Sequence, residues 1–237
     1  MFEGFREHLV EYNRHEKPAS TFYHRHFSKN GAKVATYVFL KLGISPNFIS
    51  LISFLTVFAC SFFIAHSQYL GLSLVLLQLS YIFDCSDGVV ARITGKGSKF
   101  GEMVDVSFDR ILGAIFSFSL FIHLVMNYSL DPEEYFIYAI LLTSYLSFTF
   151  VSTLRGYIFK ELKNKAKEKK KGLVINLAFI IYEFIDTGIY YLIISIAVVV
   201  GLLDWVVALY GLMALPLILA NYLICWKVIN ENRRISE

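Results

Sequence analysis

Two short stretches concentrate the residues able to do chemistry. One is Asp84-Cys85-Ser86-Asp87-Gly88-Val89-Val90-Ala91-Arg92, and the other is Gly101-Glu102-Met103-Val104-Asp105-Val106-Ser107-Phe108-Asp109. Asp84 and Asp87 are three apart, and Asp105 and Asp109 are four apart. Both spacings put a pair on one face of a helix. A short connection near Gly95 and Gly97 joins the two stretches, so the helices can face each other and bring four carboxylates together. Like charges that close repel, and burial adds a desolvation cost. A divalent cation removes both problems. An all-oxygen ligand set suits Mg²⁺, Mn²⁺ or Ca²⁺ and not Zn²⁺. Four carboxylates on two rigid helices could hold two ions about 4 Å apart, the arrangement that clamps phosphate esters during displacement. Arg92 adds a permanent charge suited to phosphate. Gly88, Ala91 and Gly101 leave room beside the carboxylates, although small residues also serve tight helix packing.

The elements that must position these groups are membrane helices. The chain has 237 residues, 56% of them hydrophobic, and only 17% are charged. An ordinary soluble domain carries roughly 25% charged residues. Mean hydropathy is +0.56. This composition excludes a water-soluble globule of this size and a disordered chain. Three cysteines, Cys60, Cys85 and Cys225, all lie in apolar stretches, which excludes a disulfide scaffold. Residues 1–33 show no apolar segment of the signal-peptide type, so membrane targeting is expected from internal segments. Six stretches approach the ~20 apolar residues that a spanning helix needs. They are Pro46–Ala65, Tyr69–Val90, Gly101–Met126, Glu134–Tyr157, Val174–Leu203 and Trp205–Ile229. The connections 66–68, 127–133 and 204 are short enough for antiparallel hairpins.

All 22 Lys and Arg residues fall before the first span, between or close to the second and third, between the fourth and fifth, or after the sixth. The positive-inside rule puts both termini and both long loops in the cytoplasm. From Ser28 to Leu42, Lys29, Lys33 and Lys41 share a helical face, and Val34, Ala35, Val38, Phe39 and Leu42 cover much of the rest. That pattern predicts an amphipathic helix in the headgroup plane. Gly43 suits its stop, Ser45 an N-cap and Pro46 the first turn of span one. The expected architecture is therefore an all-α integral membrane protein. Residues 1–45 form a cytoplasmic segment with an interfacial helix, 46–230 a six-helix transmembrane domain, and 231–237 a cytoplasmic tail. An Asp at the centre of such a helix costs at least about 2.5 kcal/mol, and this makes the four aspartates functional candidates.

The pattern D-x-x-D-G-x-x-A-R-x8-G-x-x-x-D-x-x-x-D resembles the signature of the CDP-alcohol phosphotransferases at every fixed position: Asp84, Asp87, Gly88, Ala91, Arg92, Gly101, Asp105 and Asp109. Ser45-Pro46-Asn47-Phe48-Ile49-Ser50 is similar to the start of their first helix, with Ser in place of the commoner Thr. The layout of one interfacial helix and six spans is also similar. The resemblance implies a transferase that cleaves the pyrophosphate of a CDP-linked alcohol. It would pass the phosphoryl-alcohol part, of phosphatidyl type, to a hydroxyl acceptor and release CMP. It implies metal binding (two Mg²⁺ or Mn²⁺ ions) by Asp84, Asp87, Asp105 and Asp109, with Asp109 the general base. It implies CDP contacts from Gly88, Ala91, Arg92, Gly101 and Asn47. It also implies a homodimer as one possible assembly, and a place in phospholipid or polar-lipid synthesis. The expected location is the bacterial inner membrane, with the site facing the cytoplasm and no nucleic-acid partner. CDP-diacylglycerol is the commonest donor implied, and the acceptor stays open among glycerol phosphate, inositol phosphate, serine and other alcohols.

Other polar residues have two readings. Arg155 could meet a phosphate on the acceptor or serve as a snorkelling anchor. Glu183 and Asp186 could bind acceptor hydroxyls or form a structural ion pair. The Lys160–Lys171 run suits anionic headgroups. The six histidines, His8 and His123 among them, read as solvated or interfacial. Two other classes share some features. An aspartate-rich prenyltransferase has D-x-x-x-D spacing, but its acidic motifs lie far apart. A cation transporter could use the carboxylates as an ion site, but no internal repeat is visible. The topology is testable with single cysteines placed in a background without Cys60, Cys85 and Cys225. Positions 67 and 129 should react with an impermeant reagent from the side opposite position 169. Reaction of positions 129 and 169 from one side would overturn the six-span reading.

Overall fold

The computed structural model describes residues 4–16, 23–162 and 187–236. Every described element is helical. In chain order these are α1 (Phe5–His15), α2 (Lys29–Lys41), α3 (Pro46–Ala65), α4 (Leu70–Thr94), α5 (Lys99–Asn127), α6 (Pro132–Leu162), α7 (Thr187–Val200) and α8 (Leu203–Ser236). A wide helical turn over His24–Ser28 leads into α2. Among the described residues, α3, α4, α5, α6 and α8 are long and apolar enough to cross a membrane. The described part of the expected span 174–203 is the shorter apolar helix α7, and residues 174–186, with Glu183 and Asp186, lie outside the described residues. The last connection falls at Gly201, whose φ of +80° breaks α7, and α8 starts at Leu203, two residues before the expected Trp205.

Local chemistry explains most helix ends. At the end of α2, Gly43 takes φ +67°; its N–H donates to the Leu40 carbonyl and that of Ile44 to Phe39. The end of α4 repeats this pattern: Gly95 takes φ +65°, and the Lys96 N–H donates to Ala91. Both are left-handed stops that satisfy orphan carbonyls and turn the chain sharply. Ser45 occupies the N-cap position of α3 with extended backbone, but its side chain makes no capping hydrogen bond; Pro46 supplies the preset first turn. Ser98 does cap α5, its Oγ accepting from the Gly101 N–H at 3.0 Å. Asp131 precedes α6, and its N–H donates to Glu134 Oε2 at 2.8 Å, half of a capping box.

The chain forms two compact units. The first contains α1 to α5 as far as His123, together with α7. Its axis is α4. α3 runs antiparallel beside it, with Ser53 Oγ donating to the Ser80 carbonyl at 2.9 Å. α2 lies on another side, where Phe39, Leu40, Ile49 and Val90 form one core cluster. The helices approach closely: a Cβ on Gly31 would meet Ile82 at 2.6 Å. α2 has a second apolar row, Val34, Val38 and Leu42, exposed opposite the buried one. That is the surface an interfacial helix offers to lipid. α1 docks through Tyr12 against Ala32 and Val89. His8 and His123 are corrections to the solvated reading, since both are buried. His8 Nε2 donates to the Lys33 carbonyl at 2.9 Å, and burial lowers the proton affinity of its ring. His123 Nδ1 lies 3.1 Å from the Ile64 carbonyl and 3.0 Å from Ser67 Oγ.

The second unit holds α6, α8 and the end of α5. α6 and α8 pack through Gly211, where a Cβ would lie 2.7 Å from Leu141 Cα and 2.5 Å from its Cβ. Backbone on the far side cannot yield as a side-chain tip can. Near this contact Tyr145 and Tyr210 meet edge to face, ring centres 6.0 Å apart. Gly211→Ala should therefore lower stability by about 1–3 kcal/mol, the usual cost of overpacking. Gly71→Ala, where nothing lies within 4 Å of the new Cβ, should be neutral. Thermal unfolding of both variants in detergent checks this contrast, and equal midpoints would contradict the packing.

Candidate active site

α4 runs unbroken through the first acidic stretch to Thr94, and the Gly95 stop returns the chain into α5. The two helices carry the aspartates on facing sides. Asp84, Asp105 and Asp109 each offer a carboxylate oxygen, and these oxygens all lie within 4.8 Å of one another. Asp84 and Asp105 are half-buried and Asp109 is classed as exposed. Asp87 stands apart from the trio but within its electrostatic reach. It is buried, and its Oδ2 accepts a hydrogen bond from Ser50 Oγ of α3 at 2.5 Å. The sequence reading treated the four carboxylates alike, whereas the structure sets three together and gives the fourth a neutral hydroxyl partner.

The remaining motif residues flank this cluster. Gly88 lies under the Arg92 guanidinium: a Cβ there would come within 3.3 Å of Nη1. Ala91 is half-buried on the same stretch of α4. Asn47, in the first turn of α3, lies against Gly101, where a Cβ would meet its Oδ1 at 3.3 Å. Asn47 and Ser50 thus bring α3 against both α5 and α4 beside the acidic motif. Arg110 is half-buried beside Asp109, and its Nε makes no hydrogen bond among the described residues.

Ser50 stands in the stretch similar to the start of the family's first helix, but its pairing with Asp87 depends on the α3–α4 contact and is not legible there. One contributor carried no signal in the sequence. Tyr191 of α7 lies in electrostatic reach of Asp84, Asp109 and Arg110, and its ring packs on Phe116 with centres 5.3 Å apart. Among 15 tyrosines no spacing singles it out. Arg155 is a half-buried residue of the second unit, and the site described here is built wholly from the first.

Such a donor set fits a divalent cation. The three clustered oxygens are hard ligands on helices that cannot easily separate, and like charges in an apolar setting need compensation. Among the described residues no other group of three acidic, histidine or cysteine ligands comes this close.

Comparison with known proteins places the chain in a family. The family model for CDP-alcohol phosphatidyltransferase matches residues 43–210. An archaetidylinositol phosphate synthase of Pyrococcus horikoshii is 38% identical over 80 residues, 33% of this chain and 42% of that one. A phosphatidylinositol phosphate synthase of Corynebacterium glutamicum is 37% identical over 78 residues, 32% of this chain and 36% of that one. The chain thus spans about two fifths of the length of these curated relatives. The crystal structure of Mycobacterium tuberculosis phosphatidylinositol phosphate synthase with CDP-DAG bound is similar in fold. Its TM-score is 0.60 at 16% identity, over 82% of this chain and 93% of that one. The same enzyme in complex with manganese and citrate gives 0.58 at 15% identity, over 82% and 88%. The matched residues contain the whole acidic motif and the first turn of α3, and on that match the chain belongs to the CDP-alcohol phosphatidyltransferase family.

Proposed function

We propose that this protein transfers the phosphatidyl-type group of a CDP-linked lipid to a hydroxyl acceptor and releases CMP. The observation that carries the reading is the convergence of Asp84, Asp105 and Asp109 within 4.8 Å. Asp84, Asp105 and Asp109 would hold the divalent metal, with Asp87 at its edge and two ions as the fuller form. Mg²⁺ or Mn²⁺ there would neutralise charge developing on the transferred phosphate.

The chain's own residues divide the rest of the work. Arg92 holds the donor pyrophosphate, and Gly88 and Ala91 let the nucleotide approach α4 without a side chain in the way. Asn47 and Gly101 line the facing side. Ser50 keeps Asp87 in one orientation. Asp109, the last carboxylate of the motif, is the proposed general base that accepts the incoming hydroxyl's proton. The acceptor oxygen attacks the lipid-bearing phosphorus, a new P–O bond forms, the pyrophosphate P–O bond breaks, and CMP leaves with its electron pair.

The relatives' names support a phosphorylated polyol of the inositol phosphate class as acceptor. Arg155 is its proposed phosphate partner, with Asp186 on its hydroxyls. The apolar helices and the one-sided basic charge support a six-span protein of the inner membrane with this site toward the cytoplasm. The divisions 1–45, 46–230 and 231–237 belong to the same reading. Five observed candidate spans are compatible with it, the remaining one falling partly outside the described residues.

Purified protein with CDP-diacylglycerol, Mn²⁺ or Mg²⁺ and a panel of inositol phosphate, glycerol phosphate, inositol and serine should release CMP with inositol phosphate. EDTA should abolish turnover. Asp84→Asn and Asp105→Asn should each lose CMP release and weaken Mn²⁺ binding measured by electron paramagnetic resonance. Full turnover in either variant would remove the carboxylates from the mechanism. Arg155→Ala should raise the acceptor KM by an amount corresponding to about 1.5–3 kcal/mol, the value of a charge-assisted contact, with the donor KM unchanged. An unchanged acceptor KM would make Arg155 a membrane anchor.

A further inference from the structure

Arg92 is held from outside its motif. Its Nε–H donates to the His15 carbonyl at 2.6 Å, across 77 positions of sequence. His15 is the last residue of α1, which precedes the family-matched residues 43–210. The carbonyls of a helix's last turn lack intrahelical partners and carry the negative end of its dipole. A guanidinium in partly buried surroundings needs acceptors. Each group therefore satisfies the other.

Several contacts fix the end of α1 at this point. Tyr12, fully buried, packs against Val89, which lies one turn before Arg92 on α4, and against Ala32 of α2. Its hydroxyl lies within electrostatic reach of the Glu16 carboxylate. Glu16 pairs with Lys29 Nζ at 2.5 Å at the start of α2, and lies 3.8 Å from His24 Nε2. The Glu16 N–H closes α1 on the Tyr12 carbonyl at 2.8 Å. His8 ties the helix to the Lys33 carbonyl one turn earlier. The tether thus reaches Arg92 through backbone that is itself anchored on α2 and α4.

We infer that α1 is a positioning strap for the nucleoside-diphosphate donor: through the His15 carbonyl it holds the Arg92 guanidinium over Gly88 with its Nη edge free. The inference rests on the proposed role of Arg92. A guanidinium has five N–H groups in a fixed fork. With Nε engaged by His15, the four on Nη1 and Nη2 remain without a hydrogen bond among the described residues, and Nη1 lies beside Gly88, which has no side chain. That edge can take two phosphate oxygens at once. Without the strap the long side chain regains its rotamers and must be ordered by the ligand. The cost therefore falls on donor binding and not on the acceptor.

A double-mutant cycle on the full-length protein in nanodiscs tests this. Tyr12→Ala unseats α1 and leaves the motif intact. It should raise the donor KM, and the Kd for CDP measured by calorimetry, about tenfold, the lower end for a charge-assisted contact. The acceptor KM should stay within twofold. Tyr12→Phe keeps the packing and should recover most of the loss. Arg92→Lys has no Nε–H to offer His15, so in that background Tyr12→Ala should add little. Multiplicative effects in the cycle, an equal rise in both KM values, or lower thermal stability with unchanged CDP affinity would each overturn the strap. Should Tyr12→Ala fail to fold, Tyr12→Leu carries the same cycle. If the wild type releases no CMP from any CDP-linked lipid yet binds CDP, the transferase reading fails while the cycle on CDP affinity still decides the strap. Absence of CDP binding by the wild type sinks both.

Discussion

Three carboxylates with oxygens inside 4.8 Å, carried by helices of membrane-spanning length, set the terms for the rest of the first unit. Separated helices would relieve the repulsion, so the contacts around α4 must outweigh it until a cation does. The Gly95 stop prevents α4 and α5 from drifting apart in sequence, because it turns the chain within a few residues. α3 reinforces them at two points, with Ser50 on Asp87 and Asn47 beside Gly101. α7 adds the Tyr191 and Phe116 contact on a further side. Each of these is a helix-to-helix contact at the level of the acids, where repulsion acts.

α4 shows how one helix serves several demands. Asp84 and Asp87 face the acidic space, and Gly88 and Ala91 keep the neighbouring surface low. Val89 and Val90 are buried in apolar clusters with α1, α2 and α3. Ser80 and Ser86 direct their hydroxyls to carbonyls of their own helix, so these small polar residues permit close packing without an unsatisfied donor. Arg92, near the end of the helix, extends between the motif and α1. A replacement at almost any of these positions alters either the chemistry or the packing that holds it.

Much of the site was legible because its chemistry leaves a local signature. Asp84 with Asp87 and Asp105 with Asp109 obey helical spacing, and the intervening glycines announce the turn. The apolar runs of α3 to α6 show through because a membrane demands length and hydropathy together. Contacts made by backbone or by single small side chains leave no comparable trace. The His15 carbonyl that holds Arg92 would be present whatever residue stood there. The pairing of Asp87 with Ser50, a hydroxyl 37 positions away, needs the contact of α3 with α4. His8 and His123 read as solvated because a lone histidine in sequence gives no sign of the carbonyl waiting for it. The start of α8 was displaced because Gly201, and not the charged Asp204, makes the break.

Close packing and directed polar contacts constrain helices to different degrees. In the second unit α6 and α8 meet at Gly211, where small size admits a backbone-to-backbone approach; such packing works in an apolar solvent because it depends on close van der Waals contact and not on expelling water. In the first unit the helices around the acids are tied by directed polar contacts: Ser53 to Ser80, Ser50 to Asp87, Arg92 to His15 and Glu16 to Lys29. Dispersion contacts tolerate sliding by fractions of an ångström, whereas a hydrogen bond of 2.5–2.9 Å does not. Transfer between two bound groups is sensitive to displacements of that size. Around the acids, directed contacts therefore sit where positions must be held.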